Sequence, residues 1–402
     1  MTEFKQLNTP IYRASTVVFD DLESFLGRGS RLFDGYMYGL YGTPTVRELE
    51  RRVAGIEGGA RSIAVPSGQS ALTSLILALC QPGDHVLMVD CIYGGTRGFA
   101  ASTLARMGIA FSFIPSDAGS IAEHLRPTTR LVLLESPGSY SMEVQDIAPI
   151  AAEAKAAGVT VAIDNTWGFG ASRMFEHGVD VCVTALSKYA AGGGDLCMGS
   201  ITVATEDLYR TIKAFVAGLG SGVSVDDAYM VLRGLDSLEA RLARHAERGL
   251  EISHWLAAQP QVHAVLNPAL PGDRSHDRFR RYFTAGNGLL SIRLRNGTLD
   301  GLRPFFDGLE TFRIGASWGS AHSLVALARP HGERTMDSWT ESEHLGIDLP
   351  PGIGLVNDRG DQSTLLMFID ADGVMYVGSV KSLDDLQGVS VAPPEIRLRG
   401  DV

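Results

Sequence analysis

The stretch TALSKYAAGGGDLCMG, residues 184–199, sets a lysine between a serine and a tyrosine and follows it with three glycines. A lysine that ends an apolar run ordinarily sends its ammonium to solvent. Its neighbours argue for more. Asp164 closes the run VTVAID, where a carboxylate is costly unless it has a partner. Lys188 closes the later run VCVTALS, read as the next-but-one element of the same layer, so two opposite charges meet on one rim. A pyridine ring between them accounts for both: an aspartate keeps the ring nitrogen protonated, which makes the ring an electron sink, and a lysine amine condenses with its aldehyde. Such a ligand also needs a phosphate site, and PSGQSA at residues 66–71 supplies a strand, a Ser-Gly turn and a helix N-terminus that favours an anion. Ser187 and Thr184 add hydroxyl donors beside the lysine, and Tyr93 in DCIYGGT offers a flat partner for the ring. The plain alternative for Tyr93 is a boundary tyrosine with a buried ring and a wet hydroxyl. Each signal is weak alone; four of them at strand ends, in this order, are not.

Such residues need a frame that brings strand ends to one edge. The runs RSIAV, HVLMVD, IAFSFIP, RLVLLES, VTVAID, VCVTAL and SITVAT are short, β-branched and nearly continuously apolar, as in strands buried on both faces of a mostly parallel sheet. TVRELERRVAGIEGG, QSALTSLILALC, TRGFAASTLARMG and DIAPIAAEAKAAG read as helices between them. The fold class is therefore α/β, doubly wound, with ligands outside the carboxyl ends of the strands. After Val225 the chain reads as one long amphipathic helix, DDAYMVLRGLDSLEARLARHAERGLEISHWLAAQ, followed by the strand-like VHAVL and GLLSIRL and by FRIGASWGS. This predicts an extended N-terminal arm over 1–44, an α/β domain over 45–225 and a smaller α+β domain over 226–402, whose tail is the part richest in proline and polar residues.

Composition sets the limits. With 402 residues, 45% hydrophobic and 20% charged, the chain is an ordinary globular one with a sizeable core. A net charge of −11 disfavours nucleic acid and anionic lipid as partners. No apolar run has the form of a signal peptide or the length of a membrane span, so the cytoplasm is the expected location. Cys80, Cys91, Cys182 and Cys197 show no CxxC spacing and are expected as reduced core residues, and no histidine pair has metal-ligand spacing, so no metal is expected.

On these residues the chain resembles the transsulfuration (Cys/Met metabolism) branch of pyridoxal-phosphate enzymes of fold type I. The resemblance runs from about Thr9 to Val325 through TPIYRASTVVFD, YGTPTVRELE, ESPGSYSMEVQDI, IDNTWGFG, LSKY, DDAYMVLRGLDSLEARLARH and GASWGSAHSLV, and is nearest the cystathionine β-lyase type. It implies pyridoxal 5'-phosphate as cofactor, Lys188 as its covalent anchor and as the base, Asp164 on the ring nitrogen, and Tyr93 stacked on the ring. It places Gly68, Gln69 and Ser187 at the phosphate, Thr184 near the cofactor, and Ser317 and Trp318 on the substrate side. Tyr38 would enter from a neighbouring subunit of a homodimer or homotetramer with shared sites. The implied reaction removes an α-proton, expels a β-thiolate and ends in pyruvate and ammonia.

Three departures stand out. Leu40 takes the place of the arginine in the family's Tyr-x-Arg, and GGGD at 192–195 replaces the common Gly-His-Ser-Asp. In STLLMFIDADG, Met367 stands where the family carries an arginine for the substrate α-carboxylate, and methionine cannot hold a carboxylate. That grip then falls to another arginine such as Arg359 or to groups near Ser317 and Trp318, or else the substrate lacks an ordinary carboxylate contact. The first reading is a carbon–sulfur β-lyase, favoured by ESPGS and SWG. The second is γ-elimination or γ-replacement on an activated homoserine-type substrate, where an asparagine more often stands at the place of Ser139. A non-catalytic homologue would be expected to lose Lys188, Asp164 or Tyr93, and a Rossmann dehydrogenase lacks its GxGxxG after the first strand.

Overall fold

A computed structural model of the chain describes residues 6–260, 262–294, 307, 313–327 and 334–336, together with the backbone of three strands within 353–380. Among the described residues before α3 lie the short helices α1 (Leu22–Leu26) and α2 (Arg31–Asp34), neither with a buried residue, and 3₁₀ turns over Gly27–Ser30 and Gly39–Tyr41. α3 (Pro44–Glu57) starts with proline in its first turn, where the missing N–H costs nothing, and buries Val46, Leu49 and Val53 on one face.

The main sheet holds β1 (Arg61–Val65), β2 (His85–Val89), β3 (Ala110–Ile114), β4 (Thr129–Glu135), β5 (Thr160–Asp164), β6 (Val181–Thr184) and β7 (Gly199–Val203) in the order β1-β7-β6-β5-β4-β2-β3. Every neighbouring pair is parallel except those of β7, which runs against both β1 and β6. Helices α4 (Gly68–Leu79), α5 (Gly94–Phe99) and α6 (Ile147–Ala156) alternate with the strands. The core is continuous across the sheet, from Ile63 and Leu75 through Leu87, Leu133 and Ile163 to Ile201. All seven strands coincide with the apolar runs, because strands covered on both faces cannot alternate, although β3 at the edge is only partly covered. One placement differs from expectation: β6 pairs directly with β5, so Asp164 and Lys188 follow adjacent interior strands.

Three other differences have physical causes. α7 (Glu206–Gly218) is an additional helix, capped by Thr205 and burying Tyr209, Ile212 and Val216 beneath a charged face. The long amphipathic stretch is two helices, α8 (Val225–Asp236) and α9 (Leu238–Ala257), because Ser237 at φ −108°, ψ 3° leaves the helical region. TRGFAASTLARMG starts as α5 but widens into a π-turn over Ala100–Leu104 and tightens into a 3₁₀ turn over Ala105–Met107.

Beyond α9 lie β8 (Val262–Leu266), α10 (His276–Tyr282) and β9 (Leu290–Leu294). With β10 (Arg313–Ile314), β11 (Leu324–Leu327) and β12 (Ile353–Val356), the strands form a second sheet of order β10-β11-β12-β9-β8. β13 (Thr364–Ile369) and β14 (Met375–Val380) pair only with each other. Met367 falls on β13, where side chains lie outside the described residues, as does Arg359 altogether. Cys80, Cys91 and Cys182 are buried free thiols, but Cys197 is exposed, since it belongs to the loop entering β7 rather than to the strand.

Candidate active site

The carboxyl ends of β1, β2, β4, β5 and β6 meet along one rim. At β1, Ser67 caps α4: its side chain accepts from Ser70 N–H at 3.0 Å and its carbonyl from Ala71 N–H. This leaves the N–H groups of Gly68 and Gln69 without an acceptor among the described residues, at the positive end of the helix dipole. Gly199 on β7 makes the close packing possible, since a Cβ there would lie 2.4 Å from Ser67 O and 2.7 Å from Gly68 N.

At β2, Tyr93 caps α5 with 47% of its surface exposed. Its ring lies against Gly95, where a Cβ would stand 2.6 Å from Tyr93 Cε1 and 2.7 Å from Gln69 Oε1. Gln69 Nε2 donates to Gly95 O at 3.3 Å, while its buried Oε1 has no donor. Tyr93 N–H donates to Glu135 Oε2 at 2.6 Å, and Ser139 Oγ–H donates to Glu135 Oε1. Glu135, paired in register with Asp164, has its pKa pushed up to about 8, first by burial and then by the charge of Asp164.

Asp164 accepts from Thr166 N–H at 3.0 Å and Thr166 Oγ–H at 2.5 Å. Burial raises its pKa; those bonds and the ammonium of Lys188 pull it back. Lys188 Nζ donates to Ser317 Oγ at 2.8 Å and lies 5.6 Å from the centre of the Trp318 ring. Burial lowers its pKa, opposed by the charges of Cys197 and Asp164. Lysine, aspartate, serine and tryptophan thus come together from separate parts of the chain.

Two hydroxyls stand differently from expectation. Thr184 Oγ–H donates to Glu57 Oε1 at 2.6 Å, because a buried carboxylate at the end of α3 claims it. Ser187 Oγ donates to Met198 O at 3.1 Å and accepts from Met198 N–H at 3.0 Å, so a phosphate would have to draw that hydrogen away. The glycine run is required by the backbone itself. Gly192 and Gly194 adopt left-handed backbone at φ 72° and 73°, with the Arg241 guanidinium and Ser320 packed where side chains would be. Tyr38 is 41% exposed, its hydroxyl accepting from Ser15 Oγ at 3.3 Å, and Leu40 packs on Gly222.

Arg334 carries no signal in the sequence, Glu135 stands out only as the first residue of ESPGS, and Glu57 only faintly. Glu57 Oε2 accepts from Asn165 Nδ2 at 2.7 Å while Oε1 takes Thr184, so one carboxylate ties the end of β5 to the end of β6. Burial first, and the charge of Asp164 in addition, push its pKa up to about 7. The one available hint was an acid at the apolar end of α3, just before its glycine stop.

The residues present fit a phosphorylated pyridine aldehyde. Two free N–H groups and an orphaned amide oxygen lie at α4, a half-exposed aromatic face at Tyr93, a carboxylate at Asp164, and an amine of lowered pKa at Lys188. Fold and rim together define an α/β enzyme of the pyridoxal-phosphate type. The sequence matches the model of the Cys/Met metabolism PLP-dependent enzymes over residues 1–348, and the chain belongs to that family. Its cofactor is pyridoxal phosphate. It is 34% identical to cystathionine beta-lyase MetC of Escherichia coli (strain K12) over 356 residues, 85% of this chain and 90% of that one. Cystathionine beta-lyase of Salmonella typhimurium is 36% identical over the same shares. The crystal structure of metB from Corynebacterium glutamicum matches with a TM-score of 0.77 at 24% identity, covering 89% of this chain and 90% of that chain, and so shares the fold. Among the described residues no helix is long and apolar enough to cross a membrane, and no cluster of ligands is placed to hold a metal ion.

Proposed function

We propose that the chain is a carbon–sulfur β-lyase that takes cystathionine, or a related β-thio amino acid, to a thiol, pyruvate and ammonia. The observation that carries this reading is Lys188 Nζ held on Ser317 beside Trp318, its ammonium disfavoured by burial, across the rim from Asp164. Identity above 30% to relatives named for that reaction supports it.

Bound pyridoxal phosphate supplies the electron sink for the pair left when an α-proton departs. The chain's residues hold the reactants and move that proton. The N–H groups of Gly68 and Gln69 receive the phosphate, Tyr93 gives its face to the ring, and Asp164, fixed by Thr166, holds the proton on the ring nitrogen. Lys188 Nζ, with its lowered pKa, takes the proton from the substrate α-carbon, and Ser317 keeps it in place. Trp318 shields it from water.

The second sheet strand that follows Ser317 and Trp318 in the chain is β12, whose sequence IGLV has no arginine, and β13 has none either. The enzyme works in the cytoplasm as a homodimer or homotetramer in which Tyr38 reaches a neighbouring copy's site. The apolar side chains Leu7, Val18, Leu22 and Leu26, exposed along the arm, support an assembly that covers them. Products decide the chemistry. With L-cystathionine, pyruvate and homocysteine are expected, whereas 2-oxobutyrate and cysteine would move the reaction to the γ-carbon and sink this reading.

A further inference from the structure

Arg334 is a buried arginine that the chemistry above does not use. It is 8% exposed, and its Nη2 donates to Ser139 O at 2.6 Å and to Ser141 Oγ at 3.2 Å. Its Nε and Nη1 are buried with no partner. A guanidinium carries five N–H donors, so three have no acceptor, and among the described residues no carboxylate makes an ion pair with it. An uncompensated buried cation is costly to a fold, and an anion of the right shape removes that cost.

Its position is fixed from two sides. Thr335 N–H and Oγ–H and Met336 N–H all donate to the fully buried carboxylate of Asp90, just past β2, at distances of 2.8 to 3.0 Å. Arg97 donates to the same carboxylate. This fastens the 334–336 segment to the rim between β2 and β4. On the other side Arg334 grips the turn after β4, in which Tyr140 and Met142 hold left-handed backbone at φ 65° and 60°, a conformation costly for residues with side chains and found where a site needs it. The turn is wired to the rim: Ser139 Oγ–H donates to Glu135, whose other oxygen accepts from Tyr93 N–H. Nearby acids do not neutralise the arginine by contact, since Glu143 is paired with Arg274 and Glu135 with Ser139 and Tyr93.

We infer that Arg334 is the carboxylate anchor of this enzyme: its unused N–H groups receive the α-carboxylate of the amino-acid substrate, in place of the arginine absent from β12 and β13. The inference deepens the lyase reading, in that it assumes an amino acid bound at this rim. The unused donors are covered, so a carboxylate reaches them only if the turn or the segment held on Asp90 gives way. Specificity follows. An amino acid finds a desolvated cation, and an amine without a carboxylate leaves it unpaired.

The test uses the cofactor-loaded protein and two ligands that differ only in the anchor's target, L-alanine and L-alaninamide, with binding followed by the change in visible absorbance. Arg334→Met is expected to weaken L-alanine at least tenfold and to leave L-alaninamide within about twofold; Arg334→Lys, which keeps charge but not the fork, should fall between. Equal loss for both ligands in Arg334→Lys, or no loss for either, would overturn the inference. Should Arg334→Met lose the cofactor absorbance, the lysine variant carries the test alone. The lyase reading fails separately, if wild-type protein that binds L-alanine gives no pyruvate from L-cystathionine.

Discussion

Burial acts on individual groups at this rim in opposite directions, according to charge. It disfavours the ammonium of Lys188 and so leaves more free amine at a given pH, while it disfavours the carboxylates of Glu57, Glu135 and Asp164. Lys188→Ala is expected to abolish both pyruvate formation and the visible absorbance of bound cofactor; a yellow, active variant would remove the lysine from its role. Glu57 gives a prediction with a definite sign. Its folded pKa of about 7 lies above the ordinary 4.5, so the stabilisation is complete below about pH 4.5 and is lost as pH rises through 7. The shift corresponds to about 3 kcal/mol. In cofactor-free protein, Glu57→Gln should therefore match wild type near pH 5 and exceed it near pH 8.5 in urea midpoint. Parallel curves would show that Glu57 stays ionised throughout.

Elements set how close these groups come. β7 runs against its neighbours and brings Gly199 onto Ser67 and Gly68, so the N-terminus of α4 sits where backbone meets backbone. Gly199→Ala puts a Cβ 2.4 Å from Ser67 O, and no flexible side chain is there to yield. The expected result is at least tenfold weaker cofactor binding by equilibrium dialysis, with secondary structure retained by circular dichroism; unchanged affinity would mean that α4 does not hold the phosphate. At this scale the sequence was most readable. Six of the seven strands are visible as apolar runs because both faces are covered, β3 at the edge being only partly so. Asp164 stands out because it ends such a run, and Lys188 and Tyr93 because each closely follows one. α7 went unread because its apolar residues alternate with charges, and the break at Ser237 because one serine does not interrupt an amphipathic pattern. The partner of Thr184 is not legible in the sequence because Glu57 lies 127 residues away. Arg334 stayed hidden for a like reason: its contacts are to residues nearly 200 positions earlier.

In the whole molecule, Lys188 is touched by Ser317 and Trp318 from far along the chain, whereas Tyr38 makes its contacts with nearby Ser15 and Tyr41 and none with the lysine among the described residues. If arms are exchanged between copies, Tyr38 serves a lysine on another chain, and the two residues can be separated genetically. Lys188→Ala and Tyr38→Ala proteins should each be inactive as pure assemblies. Unfolded together and refolded as a mixture, they form hybrids in which some sites receive an intact lysine from one chain and an intact tyrosine from the other. Activity should then appear in the mixture and be absent from either protein refolded alone. Were each site built from a single chain, every site in the mixture would lack one of the two residues, and no activity could return. Loss of activity on dilution, together with a fall in sedimentation coefficient, would be expected from the same exchange, because separating the copies withdraws Tyr38 and exposes the apolar side chains of the arm.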